Sequence, residues 1–378
     1  MERGLYIHVP FCVKKCNYCD FNSFKFTKED KEKYIESLIR EIGIYSENLK
    51  ENCFSTIFIG GGTPTILSIE DISYIFKCIY DSFNIKKDAE ITIESNPGTL
   101  TKEKLKLLYS IGVNRLSMGL QAYQKKHLDY LGRIHSYEEF EKNFKDAIDI
   151  GFENINVDIM FSLPNQTFDD WRETLENVVS LNPAHISAYS LIIEEETVFG
   201  KMYEKGELNV LDEEIDLKMY HYTRDYLKTE GYNQYEISNF SKSGYECKHN
   251  ILYWRSKEYL GLGPGAHSYL EGVRFSNYCS LETYFEKLNN NILPVEDSHK
   301  LEEKDKIEEK IFMGLRMNEG IYFKEFKEEF EIDFMKEYKD IIEKLRNKNL
   351  IDYTKDRLYL TNRGIDLSNS VFVEFLKD

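Results

Sequence analysis

Short apolar runs rich in β-branched residues alternate with longer amphipathic stretches over the first half of the chain. The runs lie at residues 5–8, 56–59, 90–94, 115–120, 155–160 and 185–190. Each has the length of a strand. Between them, apolar residues recur three and four apart. One set is Tyr34, Leu38, Ile42 and Tyr45. A second is Leu105, Leu108 and Ile111, with Gly112 as its stop. A third is Phe140, Phe144, Ala147 and Ile148, followed by Gly151. That period belongs to helices, and a glycine just past the last periodic residue is a common terminator. Strands separated by helices predict parallel pairing with right-handed crossovers. A closed eight-stranded barrel needs about 250 residues, whereas the alternation here ends near residue 200. The expected fold class is α/β, an open and partial six-stranded (β/α)6 barrel whose site lies at the strand C-termini.

Beyond residue 200 the rhythm changes. Residues 212–230 read as one long helix, residues 232–238 as a strand added at the barrel edge, and the Gly-Leu-Gly-Pro-Gly of residues 261–265 as a tight loop. From about residue 300 the chain is charged and helical (302–317, 322–330, 334–347). Strand-like residues 350–353 and 358–360 follow, with a turn at Lys355-Asp356 between them. The expected domains are a partial barrel over 1–235, a mixed α/β extension of it over 236–300, and a small winged-helix-like module over 301–378.

A hydrophobic share of 42% supports a packed core and argues against disorder. Acidic residues outnumber basic ones, 66 to 49, for a net charge of −17. A nucleic-acid binder shows a basic footprint, so no nucleic-acid partner is expected. The acidic helices near the C-terminus point instead to packing or to a protein partner. No apolar run approaches a membrane span, and residues 1–8 hold no signal peptide. The expected location is the cytoplasm, with membrane contact only peripheral. Seven cysteines, an odd number, argue against a disulfide framework.

Three of the seven fall together. Cys12, Cys16 and Cys19 have the spacing C-x3-C-x2-C directly after the first strand. Thiolates suit zinc and iron–sulfur clusters. A structural zinc site wants four ligands, which His8 or a remote cysteine would have to complete. Three thiolates on a cluster of four irons leave one iron open to a ligand carrying an amine and a carboxylate. Further polar groups follow the other strands. Gly60-Gly61-Gly62-Thr63 follows the second and lets backbone approach a ligand. Glu94 ends the third, before Ser95-Asn96-Pro97-Gly98. Gln121 ends the fourth, Arg133 follows in Leu131-Gly132-Arg133, and Asp158 interrupts an otherwise apolar fifth strand. A guanidinium at 133 would pair with a carboxylate, and a carboxylate at 158 needs a partner.

The cysteine spacing is the signature of the radical S-adenosylmethionine (radical SAM) superfamily. Tyr6-Ile7-His8-Val9-Pro10-Phe11-Cys12, through Cys19-Asp20-Phe21, resembles the branch that contains the oxygen-independent coproporphyrinogen III dehydrogenase and the haem chaperone HemW. The resemblance implies a [4Fe–4S] cluster on Cys12, Cys16 and Cys19. It implies S-adenosylmethionine contacts at Tyr6, Tyr18, Gly61, Gly62, Thr63, Glu94, Gln121, Arg133 and Asp158. Eleven residues precede Cys12, and Phe21 stands where the dehydrogenase has a fourth cysteine. Both features, and the stretch His249-Asn250-Ile251-Leu252-Tyr253-Trp254, resemble the HemW pattern. That pattern implies a haem chaperone serving respiratory proteins. The other branch implies radical decarboxylation of a porphyrinogen, with flavodoxin or ferredoxin as electron donor. Whether the chain is an enzyme stays open, as does a homodimer. His249 is either a haem-iron ligand or a hydrogen-bonded member of an aromatic cluster, and His267 is the next candidate.

Overall fold

A computed structural model describes residues 2–376. The ends of the expected domain ranges, residue 1 and residues 377–378, lie outside the described residues. Six parallel strands run in chain order through the main sheet: Arg3–Val9, Cys53–Gly61, Asn84–Ser95, Arg115–Gln121, Asn154–Phe161 and His185–Ser190. Their side chains alternate between the two faces, as period-2 geometry requires. Leu5, Ile7, Ile57, Ile91, Ile93, Leu116, Ile155, Val157 and Ile186 fill one face and pack against the outer helices in the main apolar core. The other face carries Tyr6, His8, Thr56, Phe58, Glu90, Glu94, Arg115, Ser117, Asn156, Asp158 and His185 in the same strands. The barrel interior is therefore polar and buried, and its polar groups bond to one another.

The crossover helices start on side-chain caps. Ser68 with Asp71, Ser136 with Glu139, and Thr167 with Asp170 form reciprocal capping boxes. Gly151 ends the Tyr137–Ile150 helix in the left-handed region at φ 116°. Gly112, at φ 98°, follows the Lys102–Ser110 helix in the same way.

The sheet is wider than six strands. Tyr259–Leu262 pairs in parallel with Arg3–Val9 and continues into an antiparallel ribbon of His267–Leu270, Val273–Asn277 and Val295–Lys300. The tight-loop reading of residues 261–265 is corrected here, because Gly261 and Leu262 are strand residues. A Cβ at Gly261 would lie 2.1 Å from the carbonyl oxygen of His267, so this glycine marks close strand approach. At the other edge, Asn239–Ser241 pairs antiparallel with His185–Ser190, and Asn233–Glu236 pairs with Asn239–Ser241 and bridges to Met317 at Glu236. The strand expected over 232–238 thus sits one position farther out than foreseen.

Residues 311–375 close around a separate apolar cluster that includes Ile311, Phe326, Phe334, Leu358 and Phe375. The helices there are joined by a three-stranded sheet of Ile321–Tyr322, Arg357–Leu360 and Ile351–Tyr353, one strand more than the sequence pattern indicated. Among the described residues no helix is long and apolar enough to cross a membrane.

Candidate functional site

The cysteine loop leaves the first strand at Val9 and is held from three directions. From below, Phe11 is fully buried and meets Phe26 and Tyr34 edge to face. From the side, the glycine turn spends its own amides on the loop. Gly62 N donates to Val9 O at 2.8 Å, and Thr63 N to Phe11 O at 2.8 Å. A Cβ on Gly62 would lie 2.4 Å from Phe11 O, and one on Gly61 (φ 105°) would lie 2.6 Å from the His8 ring. Hence Gly62 admits the cysteine loop and Gly61 the His8 ring, close approaches within the protein in addition to the ligand contact expected for them. From above, Asn17 N donates to Leu131 O and Asn17 Nδ2 to Tyr130 O, tying the loop to the turn that carries Arg133.

Arg133 is half-buried over the loop. Its Nη1 donates to Cys16 Sγ at 3.6 Å and its Nη2 to Asn96 Oδ1 at 2.8 Å and to Gly119 O. Its Nε is buried and has no partner in the protein. A Cβ at Gly119 would stand 2.6 Å from Arg133 Nη2, so glycine at that point of the fourth strand makes the guanidinium's place. Gln121, two residues on, takes a left-handed φ of 73° where the strand ends.

Two half-buried carboxylates share a cavity with Arg133. Glu94 accepts from Gly61 N at 3.0 Å. Burial, and secondly the neighbouring Asp158 charge, push its carboxyl up to about 8. Asp158 accepts from Ser117 Oγ at 2.9 Å and from Asn156 Nδ2 at 2.8 Å. The partner that a carboxylate in this strand requires is therefore a hydroxyl and an amide.

These groups line a single cavity of about 440 Å³. Its wall includes Cys12, Cys16, Cys19, Tyr18, Gly61, Gly62, Glu94, Gln121, Arg133 and Asp158. Tyr6 and Thr63, also expected to contact the cofactor, are not on that wall. The Tyr6 hydroxyl turns into the barrel interior and donates to His8 Nδ1 at 3.0 Å. Thr63 accepts from Asn96 Nδ2, touches Cys12 Sγ at 3.7 Å, and opens on an adjoining recess with Lys14 and Ile134. Asn96, Ser117, Met160, Tyr189 and Ser190 also line the cavity and were not singled out from the sequence. Asn96 precedes a proline and ends a strand, which was a usable signal. Met160 and Tyr189 share the inward parity of Asp158 along their strands, a signal readable only once the register is known.

The donor set fits the cluster and S-adenosylmethionine that the motif implies. Among the described residues no three His, Cys, Asp or Glu side chains gather on one point as a single ion would need. Instead the three thiols border a void. Burial pushes Cys12 upward, and Cys19 up to about 11, so both are thiols until a metal displaces the proton. The zinc alternative needed a fourth ligand. His8 does not supply it, because its Nε2 donates to Asn22 O at 2.7 Å and its Nδ1 accepts from Tyr6. Beside the thiols, the unpartnered Arg133 Nε suits a carboxylate, and Glu94, on the same cavity wall, suits an ammonium or a hydroxyl. Lys14 and Lys15 are exposed on the rim, as is Phe21.

The histidine of the 249–254 stretch is elsewhere. His249 is 1% exposed, with one ring nitrogen bonded to Thr56 Oγ1 and the other to Tyr253 OH, each at 2.7 Å. In this structure both ring nitrogens are engaged and the ring stacks within an aromatic cluster. His267 is exposed at the start of an antiparallel strand.

Comparison with known proteins agrees with this geometry. The model of the radical SAM superfamily matches residues 6–178, and that of the HemN C-terminal domain matches residues 301–367. The chain is 37% identical over 375 residues to the heme chaperone HemW of Bacillus subtilis (strain 168), covering 99% of both chains. It is 37% identical over 380 residues to the protein of the same name from Lactococcus lactis subsp. lactis (strain IL1403), covering 99% of this chain and 97% of that one. The coproporphyrinogen III oxidase HemN of Escherichia coli, a radical SAM enzyme, superposes with a TM-score of 0.88 at 23% identity, over 100% of this chain and 90% of that one. That likeness establishes a shared fold. With the three-cysteine loop, the strand-end cavity and full-length kinship in hand, the chain belongs to the radical SAM superfamily and, within it, to the HemW family.

Proposed function

We propose that this protein is a haem chaperone: it holds a [4Fe–4S] cluster and S-adenosylmethionine, binds haem, and delivers it to respiratory proteins in the cytoplasm. The observation that carries the reading is the 37% identity, across 99% of both chains, to a protein named heme chaperone HemW. In this reading Cys12, Cys16 and Cys19 hold the cluster. Arg133 receives the methionine carboxylate on its free Nε. Glu94 and Asp158 accept from the ammonium or ribose, Gln121 adds an amide at the strand end, and Gly61 and Gly62 present backbone to the ligand. Tyr18 lies along the cavity as an aromatic face for the adenine, while Tyr6 and Thr63 act from behind the wall. When bound, the cluster supplies one electron at a low potential. The protein's part is to fix the ligand, exclude water and hold the charges in place.

The same scaffold would suit a porphyrinogen decarboxylase fed by flavodoxin or ferredoxin, and HemN shares its fold. Phe21 weighs against that role. It is 58% exposed on the cavity rim, at the position where the resemblance to the dehydrogenase branch implies a fourth cysteine. Two assays on one anaerobic batch test the proposal. Haemin titration is expected to give stoichiometric binding, and coproporphyrinogen III with S-adenosylmethionine and a low-potential reductant is expected to be left intact. Formation of a divinyl product, or haemin that fails to bind, overturns it.

A further inference from the structure

The Lys248–Trp254 helix forms no part of the cavity wall, yet it is pinned at both ends. Glu90 accepts from Lys248 N at 3.1 Å and from His249 N at 3.0 Å. At the other end the Arg316 guanidinium lies 4.5 Å over the Trp254 ring. Between these anchors His249 enters the barrel interior. Its ring stacks on Phe58, with centroids 5.1 Å apart and planes at 29°. Phe58 in turn reaches Gly60, where an added Cβ would stand 3.0 Å from the Phe58 edge and 2.8 Å from Glu94 Oε2. Phe58 and Glu94 thus border the same space beside one glycine. The path from this helix to the cavity carboxyl is His249, Phe58, the space beside Gly60, and Glu94.

We propose that His249 is a positioning residue: through Phe58 it fixes Glu94, and so sets the affinity of the cavity for S-adenosylmethionine, and it does not ligate haem iron. This rests on the reading of the cavity as the S-adenosylmethionine site. The geometry leaves the imidazole no free nitrogen. Burial also holds it neutral, with its pKa down to about 3, so it acts as a fixed hydrogen-bonding wedge and carries no charge. An iron ligand would have to break the bond to Thr56 or the bond to Tyr253, and would then need a route for a large macrocycle to a ring that is 1% exposed. Second-layer groups of this kind commonly change affinity by about tenfold or more.

The test uses the full-length protein with its cluster reconstituted, comparing wild type with His249→Ala, His249→Gln and Phe58→Leu. S-adenosylmethionine affinity is measured by equilibrium dialysis, together with its effect on the EPR signal of the reduced cluster and the haemin absorption spectrum. His249→Ala and Phe58→Leu are expected to bind S-adenosylmethionine about tenfold more weakly. His249→Gln, which keeps a polar group toward Tyr253, is expected to recover most of that loss. The haemin spectrum stays as in wild type throughout. Unchanged S-adenosylmethionine affinity in these variants overturns the proposal, as does a haemin band lost with His249 alone. If His249→Ala does not fold, the other two variants decide. Wild type that takes S-adenosylmethionine but no haemin sinks the chaperone reading and leaves this inference standing; wild type that takes no S-adenosylmethionine sinks both.

Discussion

Arg133 Nη1 donates to the Sγ of Cys16 at 3.6 Å, so the guanidinium couples the cysteine loop to Asn96 and Gly119 near the ends of the third and fourth strands. Its fork is spread over Cys16, Asn96 and Gly119, three points that a lysine ammonium cannot satisfy together. Arg133→Lys is therefore expected to retain iron but bind S-adenosylmethionine at least about tenfold more weakly. Iron content and equilibrium dialysis on the same sample check this. Iron lost in proportion to S-adenosylmethionine binding would show that Arg133 serves the loop alone.

The glycine turn gives a sharper steric test. A methyl group at position 62 meets the backbone of Phe11 at 2.4 Å, and backbone cannot swing aside. Gly62→Ala should destabilise the fold by about 1–3 kcal/mol and reduce cluster loading. Gly43 sits in the Lys28–Leu49 helix with nothing within 4 Å of an added Cβ. Gly43→Ala is the control, expected to raise stability by up to about 1 kcal/mol through helix propensity. Thermal unfolding curves and iron analysis separate the two.

Cysteine substitutions should fall into two groups. Alanine at Cys12, Cys16 or Cys19 removes a thiol from the cavity wall and is expected to abolish the cluster. Alanine at Cys53 or Cys279, which are free and off that wall, should leave iron and sulfide content as in wild type. A loss of iron on replacing Cys279 would place a fourth sulfur in the site.

Glu41 predicts a pH dependence of stability. It is fully buried and accepts from Gly263 N at 2.8 Å, Asn277 Nδ2 at 2.6 Å and Tyr284 OH at 2.7 Å. Burial nevertheless dominates and raises its carboxyl from 4.5 to about 7. The folded state thus keeps a proton that the unfolded chain has released. This contribution to stability is fully present below about pH 4.5 and is lost as pH rises through about 7, a span worth roughly 3 kcal/mol. Glu41→Gln cannot titrate. Its melting temperature should lie below that of wild type in acid, with the gap narrowing toward pH 8. A gap that stays constant would mean that Glu41 is ionised throughout.

The six barrel strands, their order and the location of the site at their C-termini were legible because those strands announce themselves as short apolar runs and the helices between them by their period; the ribbon of residues 259–300 was not, because it carries no such run. Chemistry was legible where spacing is local, as in Cys12, Cys16 and Cys19. It was less so where contact crosses the chain. The roles of Gly119, which makes room for Arg133, and of Asn17, which ties the loop to Leu131, depend on residues more than ten and more than a hundred positions away. Tyr6 and Thr63 were assigned by resemblance, and their side chains serve His8, Asn96 and Cys12. Gly261 was misread because glycine marks both turns and closely packed strands. The sequence does not say which until the neighbouring His267 carbonyl is in place.

The amides of Gly62 and Thr63 reach across to Val9 and Phe11, so the three thiols take their positions from a segment some fifty residues downstream. The C-x3-C-x2-C stretch is consequently not portable. Grafted onto another scaffold without its glycine partner, or expressed as a peptide, it would retain the sulfur ligands but lose their fixed orientation. Any variant that slips the register between the first two strands would disarm the site without touching a single cysteine.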